Sequence, residues 1–134
     1  MVWAIEIADP SFERFLRSLD EYRQAALVAS IEGVLALEGI DICSSGWGKP
    51  LGGGLYEFRV GRSPNAILKS AGRAPRPGRE FDRPVLLRVF CAFHGRRVVV
   101  LFHGYDKGGA PSESRQGREI AAARKIHDAW RRSL

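Results

Sequence analysis

Five side chains of this 134-residue sequence have the types and spacing to do chemistry together: Arg59, Arg88, His103, Tyr105 and Lys107. A guanidinium suits phosphate because its planar fork offers parallel N–H donors, and histidine titrates near neutrality, so it serves as base or acid. Such a set suits metal-free cleavage of RNA through its own 2′-hydroxyl. A base withdraws the hydroxyl proton, cations stabilise the charge gathering on phosphorus, and an acid protonates the departing 5′-oxygen. The ring of Tyr105 is in addition a stacking surface for a splayed base. His94, His103 and His127 show no metal-ligand spacing, and Cys43 and Cys91 form no Cys-x-x-Cys pair, so neither a metal nor another cofactor is expected. Gly52-Gly53-Gly54 precedes a strand and has no Lys-Ser/Thr after it, which argues against a nucleotide loop.

These residues need strands to hold them. Segments 55–60, 85–93 and 98–105 read as strands. Strict alternation collects Tyr56, Phe58, Val60, then Val85, Leu87, Val89, Cys91 and Phe93, then Val98, Val100 and Phe102 on one apolar face. Glu57, Arg59, Arg88, His103, Tyr105 and Lys107 fall on the opposite, open face. A turn of two or four residues about Gly95-Arg96 sets Arg88 opposite His103 and Leu86 opposite Tyr105, with Cβ atoms about 5 Å apart and able to bracket one phosphate. An odd turn slips that register by one. The same residues also fit a solvated sheet face with an Arg–Glu57 ion pair, and residue types alone leave both readings open.

The remaining elements follow from local signals. Segment 3–7 alternates as a half-buried strand, and Asp9-Pro10 starts a helix carrying Phe12, Phe15, Leu16 and Leu19 on one side. After a break and new cap at 18–20, a second helix turns Leu27, Ile31, Val34 and Leu35 inward and stops at Gly39. Segment 41–54 reads as loop. Segment 61–84 reads as a long basic loop in which Ser63-Pro64 opens one helical turn through Leu68. Segment 107–111 reads as loop, and Ser112 caps a last helix on which Ile120, Ala123, His127 and Trp130 share a face. The expectation is one α+β domain, 1–134: a small antiparallel sheet, an N-terminal helical hairpin over its apolar face and a C-terminal helix.

Charge is unevenly spread. The first 40 residues carry three basic and seven acidic side chains; the rest carry 18 basic, 14 of them arginine, and eight acidic. A basic part of this density implies a polyanionic partner, nucleic acid first. The apolar runs are too short to span a bilayer, and no signal segment opens the chain. A reduced, cytoplasmic protein with no membrane partner is expected.

Taken in order, Leu51-Gly52-Gly53-Gly54-Leu55-Tyr56-Glu57-Phe58-Arg59, Leu87-Arg88-Val89-Phe90, Leu101-Phe102-His103-Gly104-Tyr105-Asp106-Lys107-Gly108, Pro111-Ser112 and Arg118-Glu119-Ile120-Ala121-Ala122-Ala123-Arg124 resemble the HigB-like, phage-derived branch of the RelE/ParE toxin superfamily. The resemblance implies the toxin of a type II toxin–antitoxin system: a ribosome-dependent, metal-independent mRNA endoribonuclease, neutralised by a cognate antitoxin, here a helix-turn-helix protein. Arg59 and Arg88 match the family's strand arginines, and His103, Tyr105 and Lys107 match the end of its last strand. The resemblance also leaves a ParE-like gyrase inhibitor and an inactive phage-derived binding module as alternatives. Two departures stand out. Segment 61–84 replaces a tight connection and offers Arg62, Lys69, Arg73, Arg76, Arg79 and Arg83 to ribosomal RNA, and Gly108-Gly109 stands where relatives carry lysine.

Overall fold

Aspartates start the two helices that follow the first strand. Asp9, extended at φ −149°, accepts the Ser11 N–H at 2.8 Å with Pro10 in the first turn, and Asp20 accepts the Arg23 N–H at 3.2 Å. The computed structural model describes residues 2–108 and 112–134, so the expected loop over 107–111 lies partly outside the described residues. Along the chain run β1 (Ala4–Ile7), α1 (Pro10–Ser18), α2 (Glu21–Ser30), a π-helical turn (Ile31–Leu35), α3 (Ala36–Glu38) and a 3₁₀ turn (Gly39–Cys43). Then come β2 (Gly48–Gly52), β3 (Leu55–Val60), α4 (Pro64–Ser70), a second 3₁₀ turn (Arg79–Asp82), β4 (Leu87–His94), β5 (Val98–Asp106) and α5 (Glu113–Arg132).

This is an α+β fold on one five-stranded sheet of order β1-β5-β4-β3-β2. The sheet is mostly antiparallel, as expected, but β1 runs parallel to β5. A parallel pair needs a long crossover, and the helices between β1 and the rest of the sheet supply it. Segment 41–54, expected as loop, contains strand β2. Its glycines and Pro50 are poor strand formers, but β2 is the sheet's outer strand, where a proline's missing N–H interrupts no ladder. Gly52, Gly53 and Gly54 all take positive φ (91°, 65° and 85°), the backbone this tight reversal into β3 requires.

Segment 61–84 is also more ordered than its composition suggests. Ser63 caps α4, accepting the Ala66 N–H at 3.1 Å. The buried Asn65 then holds the following stretch: its amide donates to Arg76 O (2.9 Å) and Asp82 Oδ1 (3.0 Å), and its Oδ1 accepts the Arg76 N–H (2.8 Å). Phe81 packs edge-on against Tyr22 of α2 at 5.1 Å.

The sheet is covered on both sides. Phe12, Phe15, Leu27 and Leu35 from the N-terminal helices pack with Phe58, Val60, Leu87, Val89, Cys91, Val99 and Leu101. Ala123, Ile120 and Trp130 of α5 pack on Leu55, Phe90, Ala92, Val100 and Phe102. Val98, Val100 and Phe102, expected beneath the helical hairpin, therefore lie on the α5 side, with Val99 and Leu101 in their stead. The cause is the three-residue turn 95–97, which sets Val99 opposite Phe93 and Leu101 opposite Cys91; a bulge farther along β5 then returns His103 and Tyr105 to the α5 side. Leu101 pairs with Cys91 and His103 with Phe90, leaving Phe102 as the extra residue. Two consecutive residues, Phe102 and His103, then face α5, and strict alternation fails across the strand.

Candidate functional site

The turn joining β4 and β5 has three residues, 95–97, because His94 pairs with Val98. An odd turn slips the register by one, and the bulge adds a second step. Arg88 is consequently opposite Tyr105, not His103. Leu86 lies outside β4, and its carbonyl accepts the Lys107 N–H at 2.7 Å. The sheet thus lays out two rows across β3, β4 and β5: Arg59–Arg88–Tyr105, and beside it Glu57–Phe90–His103. The ring of Phe90 stacks on both His103 and Tyr105 at 6.0 Å. All five polar groups share one face, because the three-residue turn and the bulge together restore the parity of β5 against β4. That face is not open, however: α5 crosses it, and Glu57, Arg88 and Tyr105 are buried at 0%, 7% and 3% exposure.

The Glu57 carboxylate organises the first row. Its Oε1 accepts the Arg59 Nε–H at 2.8 Å and lies 3.7 Å from Arg88 Nε, while an Arg88 terminal nitrogen donates to Leu87 O at 3.0 Å. Glu57 Oε2, Arg88 Nε and the Tyr105 hydroxyl find no hydrogen-bond partner among the described residues. Three orphaned buried polar atoms in one neighbourhood are unusual, because each carries an uncompensated desolvation penalty. Burial, reinforced by the Glu57 charge, holds the Tyr105 phenol above its ordinary range, so it is a neutral O–H donor at pH 7. Burial also lowers the Arg88 guanidinium's pKa, against the pull of Glu57, from a starting point high enough that it stays charged.

Arg59 and Arg88 open onto a cleft of about 230 Å³ that is also lined by Arg62, Trp47 and Ser45. Arg62 sits over the Trp47 ring at 5.1 Å, and that ring stacks on Phe58 at 5.8 Å. Among the described residues no acidic side chain lines the cleft; Glu57 is buried. Three guanidiniums around one concavity make a site for a polyanion, and the indole offers a flat apolar surface beside them. Trp47 had no place in the expected site, because residues 41–54 read as loop. A tryptophan set among glycines was the available signal.

His103 belongs to a second concavity. β1 ends opposite Leu101, so from His103 onward β5 is a free sheet edge around which α1 and α5 approach each other. Gly104 makes this possible: a Cβ there would stand 2.5 Å from the Phe15 ring. The imidazole bridges the two helices, with Nδ1 2.5 Å from Ser11 Oγ and Nε2 2.6 Å from Glu119 Oε2. Ser11 and Glu119 were both missed, since they lie 92 and 16 residues from His103 in the chain and only packing joins them.

The other expected residues scatter. Lys107 follows β5 in a turn, half-buried. Of the basic residues in segment 61–84 that were expected to meet RNA, Arg62 lines the arginine cleft. Arg76 is turned back onto Phe81 (5.8 Å) and Glu21 (3.5 Å), while Lys69, Arg73, Arg79 and Arg83 are exposed away from it. Among the described residues no helix is long and apolar enough to cross a membrane. No protein-family model and no curated protein matches this chain, so the geometry of its two concavities carries the functional argument.

Proposed function

We propose that this chain is the toxin of a type II toxin–antitoxin pair, akin to the HigB-like branch of the RelE/ParE superfamily, and that it cleaves messenger RNA on the ribosome. The observation that carries the reading is the cleft in which Arg59, Arg62 and Arg88 converge beside Trp47, with no acidic side chain among the described residues that line it. In this reading Arg59 and Arg88 grip the scissile phosphate and stabilise the dianionic phosphorane, with Arg62 on a neighbouring phosphate. Trp47 stacks a nucleotide, and the Tyr105 hydroxyl, neutral and with no partner among the described residues, donates to the substrate. Lys107 or His103 supplies the base that takes the 2′-hydroxyl proton. The predominantly basic chain after residue 40 suits a ribosomal partner, and a cognate helix-turn-helix antitoxin is the expected neutralising partner.

Induced expression tests the reading, with mapped transcript ends and mapped DNA breaks as joint readouts. The wild type is expected to arrest growth and to leave new transcript ends. Arg59→Ala and Arg88→Ala are expected to lose both effects while circular dichroism shows them folded. Arrest with intact transcripts and broken DNA would mark a gyrase inhibitor instead. Harmless expression of the folded wild type would mark an inactive binding module, and either result overturns the proposal.

A further inference from the structure

The groove at the free edge of β5 holds a constellation independent of the arginine cleft. Ser11, His103 and Glu119 come from α1, β5 and α5 and form one hydrogen-bonded chain, Oγ–Nδ1 at 2.5 Å and Nε2–Oε2 at 2.6 Å. The groove is about 430 Å³, and Arg14 and Arg115 also line it. A carboxylate only accepts, so in the neutral ring Glu119 fixes the hydrogen on Nε2 and leaves the Nδ1 lone pair facing the serine hydroxyl. Nucleophile, base and orienting carboxylate are thus in the geometric relation that activates a serine, with the two ring nitrogens exchanging their usual partners. Ser11 lies in the first turn of the nine-residue α1, whose dipole favours negative charge on its oxygen. Its backbone N–H is already taken by Asp9, so the cations of Arg14 and Arg115 are the groups available to an oxyanion.

We propose that Ser11 is a nucleophile and that this groove hydrolyses carboxylic esters bearing a negative charge. The Ser11 oxygen attacks the ester carbonyl as its proton passes to His103 Nδ1. The tetrahedral adduct then expels the alcohol, which leaves with that proton. Water attacks the acyl-serine, giving one proton to Nδ1, and collapse releases the carboxylic acid and returns the proton to Ser11. Glu119 holds the imidazole in register throughout and stabilises its charged form. None of these steps uses the Arg59–Arg62–Arg88 cleft; His103 is the one residue the two readings have in common, and Ser11, which only ester hydrolysis uses, tells them apart.

The test uses the purified full chain with a fluorophosphonate probe, intact-mass detection and peptide mapping. One phosphonyl adduct is expected per chain, on Ser11. Ser11→Ala, which keeps the backbone N–H bond to Asp9, should abolish it with no loss of thermal stability. Glu119→Gln should slow labelling at least about tenfold, because an amide can donate to Nε2 and so move the hydrogen to Nδ1, removing the base. A 4-nitrophenyl ester with a free carboxylate should turn over faster than the neutral acetate, and Arg14→Ala should erase that preference. A folded wild type that takes no label, or a Ser11→Ala protein labelled at the wild-type rate, overturns the proposal. In that event the chain of three residues serves only to dock α5 on the sheet.

Discussion

Glu57 and Arg88 offer a perturbation whose outcome can be worked from the structure. Glu57 is fully buried and the Arg88 side chain nearly so, with Oε1 and Nε 3.7 Å apart. At an effective dielectric of about 20 their gross attraction is about 4 kcal/mol, most of it offset by the desolvation of two ions. Removing one ion alone leaves the other buried and poorly compensated. Arg88→Met still leaves Glu57 its 2.8 Å bond to Arg59, so this variant should lose about 2 kcal/mol. Glu57→Gln strands Arg88 beside a second guanidinium and should lose more, about 3–4 kcal/mol. The double variant removes both buried charges and the orphaned Arg88 Nε, and should return to within about 1 kcal/mol of the wild type. The predicted coupling is therefore at least about 4 kcal/mol, against about 0.5 kcal/mol for independent sites. Urea unfolding of the four proteins at pH 7 measures it. Additivity within error would show that the two charges do not share one buried environment and would refute the electrostatic description of the site. A stable double variant that no longer arrests growth would show that the pair is kept for function at the expense of stability.

Two further outcomes follow from other parts of the fold. Asn65→Ala removes the side chain that holds Arg76 and Asp82. It should lower stability by about 1–3 kcal/mol and speed tryptic cleavage at Arg73 and Arg79; an unchanged digestion pattern would mean the segment is held by its apolar contacts instead. His127 is buried between Phe102 and Trp130, and burial, then Arg131 and Arg124 against the opposing Asp128, hold its pKa below the ordinary range. As pH falls through about 6.5 the unfolded ring gains a proton that the folded ring resists. The unfolded state then binds more protons, and stability falls with pH. The wild type should lose stability between pH 7.5 and 5.5 more steeply than His127→Leu, and parallel profiles would contradict this.

What could be read from the chain was local. Asp9, Asp20, Ser63 and Ser112 each cap the helix expected of them, because a capping side chain and its N–H target are two or three residues apart. That Glu57 and Arg59 share a face of β3, and His103 and Tyr105 a face of β5, followed likewise from the two-residue period of strands. The register did not, because it depended on the length of one turn and on a bulge at Phe102, and neither leaves a mark in the alternation of apolar residues. β2 was missed because glycine and proline speak against a strand, and only its place at the sheet's edge makes them tolerable. Ser11 and Glu119 meet His103 because the pairing of β1 with β5 ends two residues before it, at Leu101, and leaves an edge for two helices to reach around. The sequence alone thus determined which side chains each element offers and on which side. Tertiary structure decided which of them touch and that α5 lies across them, since both depend on how separate elements pack, and local signals do not record that.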